Sequence, residues 1–357
     1  MATSVFDQFK PYREQIQQAM QDCFTELPGT FDFDLSAQGK LALQHLQEYS
    51  LRPGKRIRGS LGALTYDAAT GSKLTGPGIQ LGVALELVQN YLLIVDDVMD
   101  KSKLRRGQPT LHELYLEQST GYGGKHEADM LAINVGIEAQ HLANLVIARL
   151  NLPPERLRQA FLLLHNNIAA TGFGQIDDLF QQPGRSITGE EIMRKYELKS
   201  SYYTFINPMK LGFVLAGKAD STILQACHEF GKAAGVAFQL RDDVLGIFGE
   251  TSQTGKPNLD DVREGKYTLL VHYVLEHATP DDQKALRVIL GNAKASEADL
   301  RMVQGIMERS GARQHVETAI VACAEAAKRV LRDNAFGNDT YCIVLSGLVD
   351  YCVERQA

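Results

Sequence analysis

An all-α fold is what this sequence predicts: a single domain spanning residues 1–357, built as a bundle of roughly a dozen helices. Three observations carry the prediction. Strand-type apolar/polar alternation is scarce, and Ala, Leu, Gln, Glu and Lys dominate most segments. No stretch reads as a flexible linker, a repeat or a low-complexity tract. With 357 residues, 44% hydrophobic and 22% charged, the chain can bury a large core.

In order along the chain, helices are expected at 7–26, 35–50, 56–70, 77–100, 110–118, 128–149, 154–178, 189–198, 200–217, 221–248, 264–277, 280–290, 296–310, 312–334 and 338–353. Leu152-Pro153-Pro154 and Gln182-Pro183-Gly184 break neighbouring helices, and Thr188-Gly189-Glu190-Glu191 reads as a capped start. Ile79 to Val95 is apolar almost all round, which marks a central buried helix. That segment is barely long enough to span a bilayer and contains Glu86, Gln89 and Asn90, so no membrane span is expected. Gly231 and Gly235, one turn apart, would let another helix backbone approach closely.

Net charge of −6 argues against nucleic acid as a partner. Five cysteines without a CxxC or zinc spacing suit a reducing compartment, and no secretory signal is read at the N-terminus, so a cytoplasmic location is expected.

Chemistry concentrates in two acidic clusters, Asp96-Asp97-Val98-Met99-Asp100 and Asp242-Asp243-Val244-Leu245-Gly246, each closing a long apolar run. If those runs are helices, the carboxylates add to the negative end of the macrodipole, a conflict that a bound cation would remove. Asp96 and Asp100 point the same way, with Asp97 beside them. So few hard oxygen ligands suit Mg²⁺, which keeps its waters and takes substrate phosphates, whereas the spacing of a calcium EF-hand is absent. A solvated acidic helix end is the plain alternative for either cluster alone.

Three basic stretches accompany them: Arg52-Pro53-Gly54-Lys55-Arg56-Ile57-Arg58, Lys101 to Thr110, and Gly255-Lys256 with Gly265-Lys266. The first lacks the GxxxxGK[ST] spacing of a nucleotide P-loop. Carboxylates for a metal plus Lys and Arg, twice over, describe a site for two diphosphates, one held through Mg²⁺ and one directly by cations. The apolar walls call for a hydrocarbon remainder.

The string DDVMDKSKLRRGQPTLH, with GKRIR before it and GQIDDL, KSSYYTF, FQLRDDVLG and GKPNLDDVREGKYTLL after it, resembles the trans-isoprenyl diphosphate synthases, or polyprenyl synthetases, over roughly residues 40 to 270. The resemblance implies the isoprenoid synthase fold, with helices around a central apolar cavity, and usually a homodimer. It implies that Asp96, Asp97, Asp100, Asp242 and Asp243 bind Mg²⁺, three ions, bridged to an allylic diphosphate. Arg105, Lys199, Lys256 and Lys266 would contact that diphosphate, while Lys55, Arg58, Arg106 and Gln89 would hold isopentenyl diphosphate. Gln175, Asp178 and Gln239 match polar positions lining the cavity.

The implied reaction is prenyl transfer: the allylic C–O bond ionises as Mg²⁺ and the cations stabilise the departing diphosphate, the isopentenyl double bond attacks, and the departed diphosphate removes the proton. Catalytic weight falls on Asp96, Asp97, Asp100, Lys199 and Asp242. Val88, Tyr91 and Leu92 lead down to the first cluster, and an aromatic at Tyr91 implies a short product, C20 geranylgeranyl diphosphate, with C15 farnesyl diphosphate as the alternative. A class I terpene cyclase or a non-catalytic synthase subunit are rival readings; the first would leave Lys55, Arg58 and Arg106 unemployed.

The chain departs from the family pattern at Gly246, where a third Asp is common, at Gln89 for His, at Ser200 for Thr, and at Gly136-Ile137 for Gly-Asp. Activity is expected despite Gly246, and Gly246→Asp is expected to be nearly neutral or mildly altering.

Overall fold

The computed structural model describes residues 5–118, 124–182, 184–249, 258–333 and 335–355. Its helices are α1 Val5–Glu26, α2 Ala37–Leu51, α3 Ile57–Thr70, α4 Gly76–Met99, α5 Leu111–Gln118, α6 Gly124–Ala148, α7 Pro154–Phe180, α8 Gly189–Tyr196, α9 Asn207–Ala216 and α10 Ser221–Phe248. They continue as α11 Asn258–Glu264, α12 Leu269–His277, α13 Pro280–Ile289, α14 Glu297–Arg309, α15 Ala312–Arg332 and α16 Asp339–Glu354. A 3₁₀ turn covers Leu27–Thr30, and Glu197–Ile206, between α8 and α9, is a π-helix. The fold is all-α, as expected.

The differences from the sequence reading are local. The helix expected over 264–277 starts only at Leu269, after Gly265, whose φ is +74°, and is opened by Thr268, whose side chain accepts from Val271 N–H; α11, just before it, was not expected. Two-residue strands, Leu104–Arg105 and Gln108–Pro109, make a hairpin. Its central residues, Arg106 and Gly107, have φ of +56° and +74°, the signs a type I′ turn requires.

The chain divides into two compact units: Met1–Leu163 with Pro208–Ala219, and Leu164–Asn207 with Asp220–Ala357. The first is organised on α4, which starts at a Thr75 cap and is buried on nearly every side from Ile79 to Asn90. Close helix approach explains its glycines. A Cβ on Gly59 of α3 would stand 2.8 Å from the Gly82 carbonyl of α4, and Gly136 of α6 lies against Tyr91, Ile94 and Val95. Both α4 and α6 are long and apolar enough to cross a membrane, but 72% of the apolar window in α4 is buried inside the protein, as a core helix would be.

The second unit packs α10 against α8, α11, α12, α14 and α15 through Val244, Ile247, Val262, Leu270, Ile306 and Val316. Gly231 and Gly235 bring the π-helix against α10: a Cβ on Gly231 would stand 2.9 Å from the Ile206 nitrogen, and one on Gly235 2.5 Å from Ser201 Cα. Their spacing had indicated such an approach.

Candidate active site

In the first unit the acidic cluster ends α4 and its three carboxylates have different surroundings. Asp97 is 1% exposed; its Oδ2 accepts from the Tyr49 hydroxyl of α2 at 3.1 Å and its Oδ1 from Arg105 Nε at 2.9 Å, with Nη2 closer still. Asp96 keeps 23% of its side chain exposed, with Arg105 at 3.8 Å. Asp100 is the C-cap residue, its backbone N–H returning to the Asp96 carbonyl. Arg105 therefore answers part of the charge conflict at this helix end. Burial would lower its pKa, but Asp97 outweighs that and holds it above the ordinary range.

Beside this lies a set of arginines with two carboxylate partners, Glu86 and Glu48. Arg56, in the left-handed region at φ +50°, donates to Glu86 Oε2 at 3.2 Å, to the Ser50 carbonyl at 2.6 Å and to Gln17. Arg52 is held by Glu48 and the Pro109 carbonyl. Arg58 is 9% exposed, and the guanidinium of Arg106 stacks at Gly54, where a Cβ would meet Cζ at 3.1 Å. Burial lowers the pKa of Arg106, Glu86 works against that, and the like charges of Arg56 and Arg58 add to it. Buried positive charge in excess of its carboxylates is an anion site. Gln89 is 8% exposed and lies one turn along α4 from Glu86, on the same face. Arg56, which the sequence reading leaves out of the diphosphate contacts, is committed to internal partners.

The second unit repeats the logic. On α10, Asp243 is 8% exposed and accepts from the Tyr196 hydroxyl of α8 and from Gln239 Nε2 at 2.9 Å. Tyr196 in turn accepts from Leu269 N–H, and Ser200 donates to Gln239 at 2.6 Å. Burial pushes Asp243 up to about 7 despite those two hydrogen bonds, so a cation alongside would be favourable. Asp242 is the outward residue, 56% exposed, and accepts from Arg355, which also stacks on Phe238.

The π-helix carries Lys199, whose ammonium donates to Asp178 of α7 at 2.6 Å; Lys195 shares that carboxylate at 2.9 Å. Burial alone would raise the pKa of Asp178, but the two lysines hold it well below the usual carboxylate range. Gly174, in the preceding turn of α7, makes room for the Lys199 backbone, and Gln175 is half-buried on the same helix. Lys266 is paired with Asp261 at 3.1 Å and Glu264 at 2.8 Å. Lys256 lies outside the described residues.

Val88 is 2% exposed, while Tyr91 and Leu92 are half-buried on α4. Gly136 is now explained, because it lets α6 approach the carbonyl of Tyr91 to within 3.5 Å of a would-be Cβ.

At Gly246 a Cβ would overlap Asp261 Oδ2, so Gly246→Asp requires the end of that side chain to move. Sequence reasoning also missed the partners Tyr49, Glu86, Tyr196, Lys195 and Arg355, because each acts across elements distant in the chain.

Among the described residues, no three His, Cys, Asp or Glu side chains are drawn together at metal-holding distance. The donors that the acidic clusters offer are carboxylate oxygens alone, and Asp96 and Asp242 are the part-exposed members. Such sparse oxygen donors fit a hard divalent cation that retains waters and takes phosphate oxygens; they do not fit zinc.

A sequence model of the polyprenyl synthetase family matches residues 40–307. The geranylgeranyl diphosphate synthase of Saccharolobus solfataricus is 28% identical, over 93% of this chain and 97% of its own. The geranylfarnesyl diphosphate synthase of Aeropyrum pernix is 31% identical, over 85% of this chain and 90% of its own. Among solved structures, a geranylgeranyl pyrophosphate synthase from Corynebacterium glutamicum, complexed with isoprenyl diphosphate and magnesium, has a TM-score of 0.86 at 27% identity, covering 96% of this chain and 99% of that one.

Proposed function

The chain belongs to the polyprenyl synthetase family, and from that premise we propose that it is a prenyltransferase joining isopentenyl diphosphate to an allylic diphosphate of C5 to C15, with C20 geranylgeranyl diphosphate as its main product. The observation that carries the reading is the gathering of Arg56 and Arg58 near Arg106, more positive charge than the Glu86 carboxylate facing Arg56 and Arg106 balances. A terpene cyclase has no second diphosphate to place there, and a non-catalytic subunit has no need of the acidic clusters. The geranylfarnesyl relative and a farnesyl product bracket the assigned length.

A divalent cation suits the family, and we assign Mg²⁺, three ions, held by Asp96, Asp100 and Asp242. When bound, it supplies charge stabilisation to the departing diphosphate. Asp97 and Asp243, the other two expected ligands, are each bonded to a tyrosine hydroxyl and a second donor, and we assign them to positioning their clusters. Arg105, Lys199, Lys256 and Lys266 hold the allylic diphosphate by charge-assisted hydrogen bonds, and Gln175 and Gln239 orient it. Lys55, Arg58, Arg106 and Gln89 hold isopentenyl diphosphate. The departed diphosphate takes the proton, and apolar side chains keep water from the cation. We also read the protein as one functional domain over 1–357 and as a cytoplasmic homodimer. Met130, Leu131 and Ile137 on α6, exposed by 41, 43 and 40%, support an apolar contact between copies.

Purified protein incubated with Mg²⁺, isopentenyl diphosphate and C5, C10 or C15 starters is expected to consume isopentenyl diphosphate and release C20. Failure to consume it with any starter would refute the reading. Lys55→Ala is expected to raise KM for isopentenyl diphosphate about tenfold or more while leaving KM for the allylic partner within about twofold. Equal rises would defeat the division of cations.

Product length is assigned to Tyr91, roughly 7.5 Å along the helix axis from Asp96, with Val88 about another turn deeper and Leu92 beside it. Tyr91→Ala is expected to yield chains at least one C5 unit longer, read by chromatography of the dephosphorylated products. An active variant giving wild-type lengths would remove Tyr91 as the floor.

A further inference from the structure

We infer that Lys195, in the last turn of α8, is a positioning residue for the allylic diphosphate: it takes one oxygen of Asp178, so that Lys199, on the other oxygen, belongs to a group of three that keeps a positive charge. The inference rests on the assignment of Lys199 to that diphosphate above.

Lys195 stands where its helix calls for an apolar residue. Thr188 opens α8 with a capping box closed by Glu191, and from there Ile192, Lys195 and Tyr196 share one face, 0%, 3% and 3% exposed. Arg194, the residue before Lys195, is exposed. An ammonium on the core side of a helix is costly unless it is paired. Lys195 Nζ meets the Tyr267 carbonyl and Asp178 Oδ1, each at 2.9 Å, and lies 5.4 Å from the ring centre of Tyr196. The neutral carbonyl does not call for a charge. Asp178 does, yet its Oδ2 already has Lys199 at 2.6 Å.

Charge explains the second lysine. One carboxylate with one ammonium would be a neutral pair, whereas one carboxylate with two leaves one positive charge. The lysines differ in exposure, 3% for Lys195 and 25% for Lys199, so Lys199 is the one an incoming anion reaches. Lys195 neutralises the carboxylate from the buried side, and the anion meets Lys199 with less of its charge cancelled by Asp178. Burial would raise the pKa of Asp178, but Lys199 and Lys195 more than reverse this, so the carboxylate stays ionised at neutral pH. Lys195 is also anchored at its far side. Tyr267 precedes Thr268, the N-cap of α12, and Leu269 donates its N–H to the Tyr196 hydroxyl. Lys195 and Tyr196 therefore grip residues 267–269 together, and Asp178 Oδ1 is held against that support.

The test removes charge without changing size. It reads binding of geranyl S-thiolodiphosphate with Mg²⁺, an allylic analogue that resists ionisation, by calorimetry, alongside KM values and melting temperature. Lys195→Met is expected to weaken the analogue about fivefold and to raise KM for the allylic substrate in proportion, with KM for isopentenyl diphosphate within about twofold of wild type. Lys195→Gln, which can still donate to the Tyr267 carbonyl, is expected to weaken it equally and serves if the methionine variant does not fold. Adding Asp178→Asn to either removes the carboxylate that Lys195 had neutralised and returns the group to one positive charge. The double variant is expected to bind the analogue within about twofold of wild type. A lysine that only filled the core would lower the melting temperature and gain nothing from Asp178→Asn. Wild-type affinity in the single variants, equal rises in both KM values, or a double variant no tighter than its Lys195 parent would overturn the inference. If wild type binds the analogue and consumes isopentenyl diphosphate while any of these holds, only this inference falls; if wild type does neither, the functional reading falls with it.

Discussion

Asp96→Ala is expected to lower kcat by about 10²- to 10³-fold while leaving the fold intact. Asp96 is the part-exposed member of its cluster, 23% accessible at the side chain, with Arg105 at 3.8 Å. In the metal role proposed for it, its removal would take away an oxygen donor, and the loss would be greatest when charge develops on the departing diphosphate, so kcat is expected to fall more than KM rises. The neighbouring residue supplies the contrast. Asp97→Asn disturbs a 1% exposed carboxylate bonded to Tyr49 and Arg105, so its effect is expected in melting temperature as well as in rate. Steady-state kinetics with circular dichroism separates the two. A folded Asp96→Ala protein with near wild-type turnover would remove Asp96 from the metal site.

Glu86→Gln is expected to destabilise the protein by about 3 kcal/mol in urea unfolding. Glu86 and Arg56 are each 1% exposed at the side chain, and Glu86 also accepts from Gly59 N–H at 3.0 Å. Glutamine keeps the volume and one acceptor but removes the negative charge that counters Arg56 and Arg106. Added inorganic pyrophosphate, by occupying the arginine cluster, is then expected to raise the melting temperature of Glu86→Gln by more than it raises that of wild type. An unchanged unfolding midpoint would mean that Glu86 is not the counter-charge.

Much of the helical order was legible because helix periods and caps are local. The burial of α4 followed from an apolar run with almost no polar face, and the closeness at Gly231 and Gly235 from their spacing of one turn. Both acidic clusters were found for the same reason, since their residues are neighbours in sequence. What sequence did not reveal is the division of labour inside each cluster. Nothing in Asp96-Asp97 distinguishes the outward carboxylate from the one that Tyr49 captures, because the tyrosine lies 48 residues away. Asp243 and Tyr196, 47 residues apart, pose the same problem. The Leu104–Pro109 hairpin escaped notice because its turn places an arginine, not an asparagine, at a positive φ.

The π-helix at Glu197–Ile206 makes the aim of Lys199 depend on chain length as well as on residue type. A π turn holds more residues than an α turn and behaves as an insertion accommodated without breaking the helix. Deleting a single residue between Lys199 and Ile206 would return the segment to ordinary pitch and rotate Lys199 by about 100° relative to Ile206. With Ile206 held against Gly231 of α10, Lys199 would swing away from Asp178, and Ser200 from Gln239, although neither had been substituted. In an aligned set of relatives, a gap here therefore predicts a change of chemistry more strongly than a substitution would.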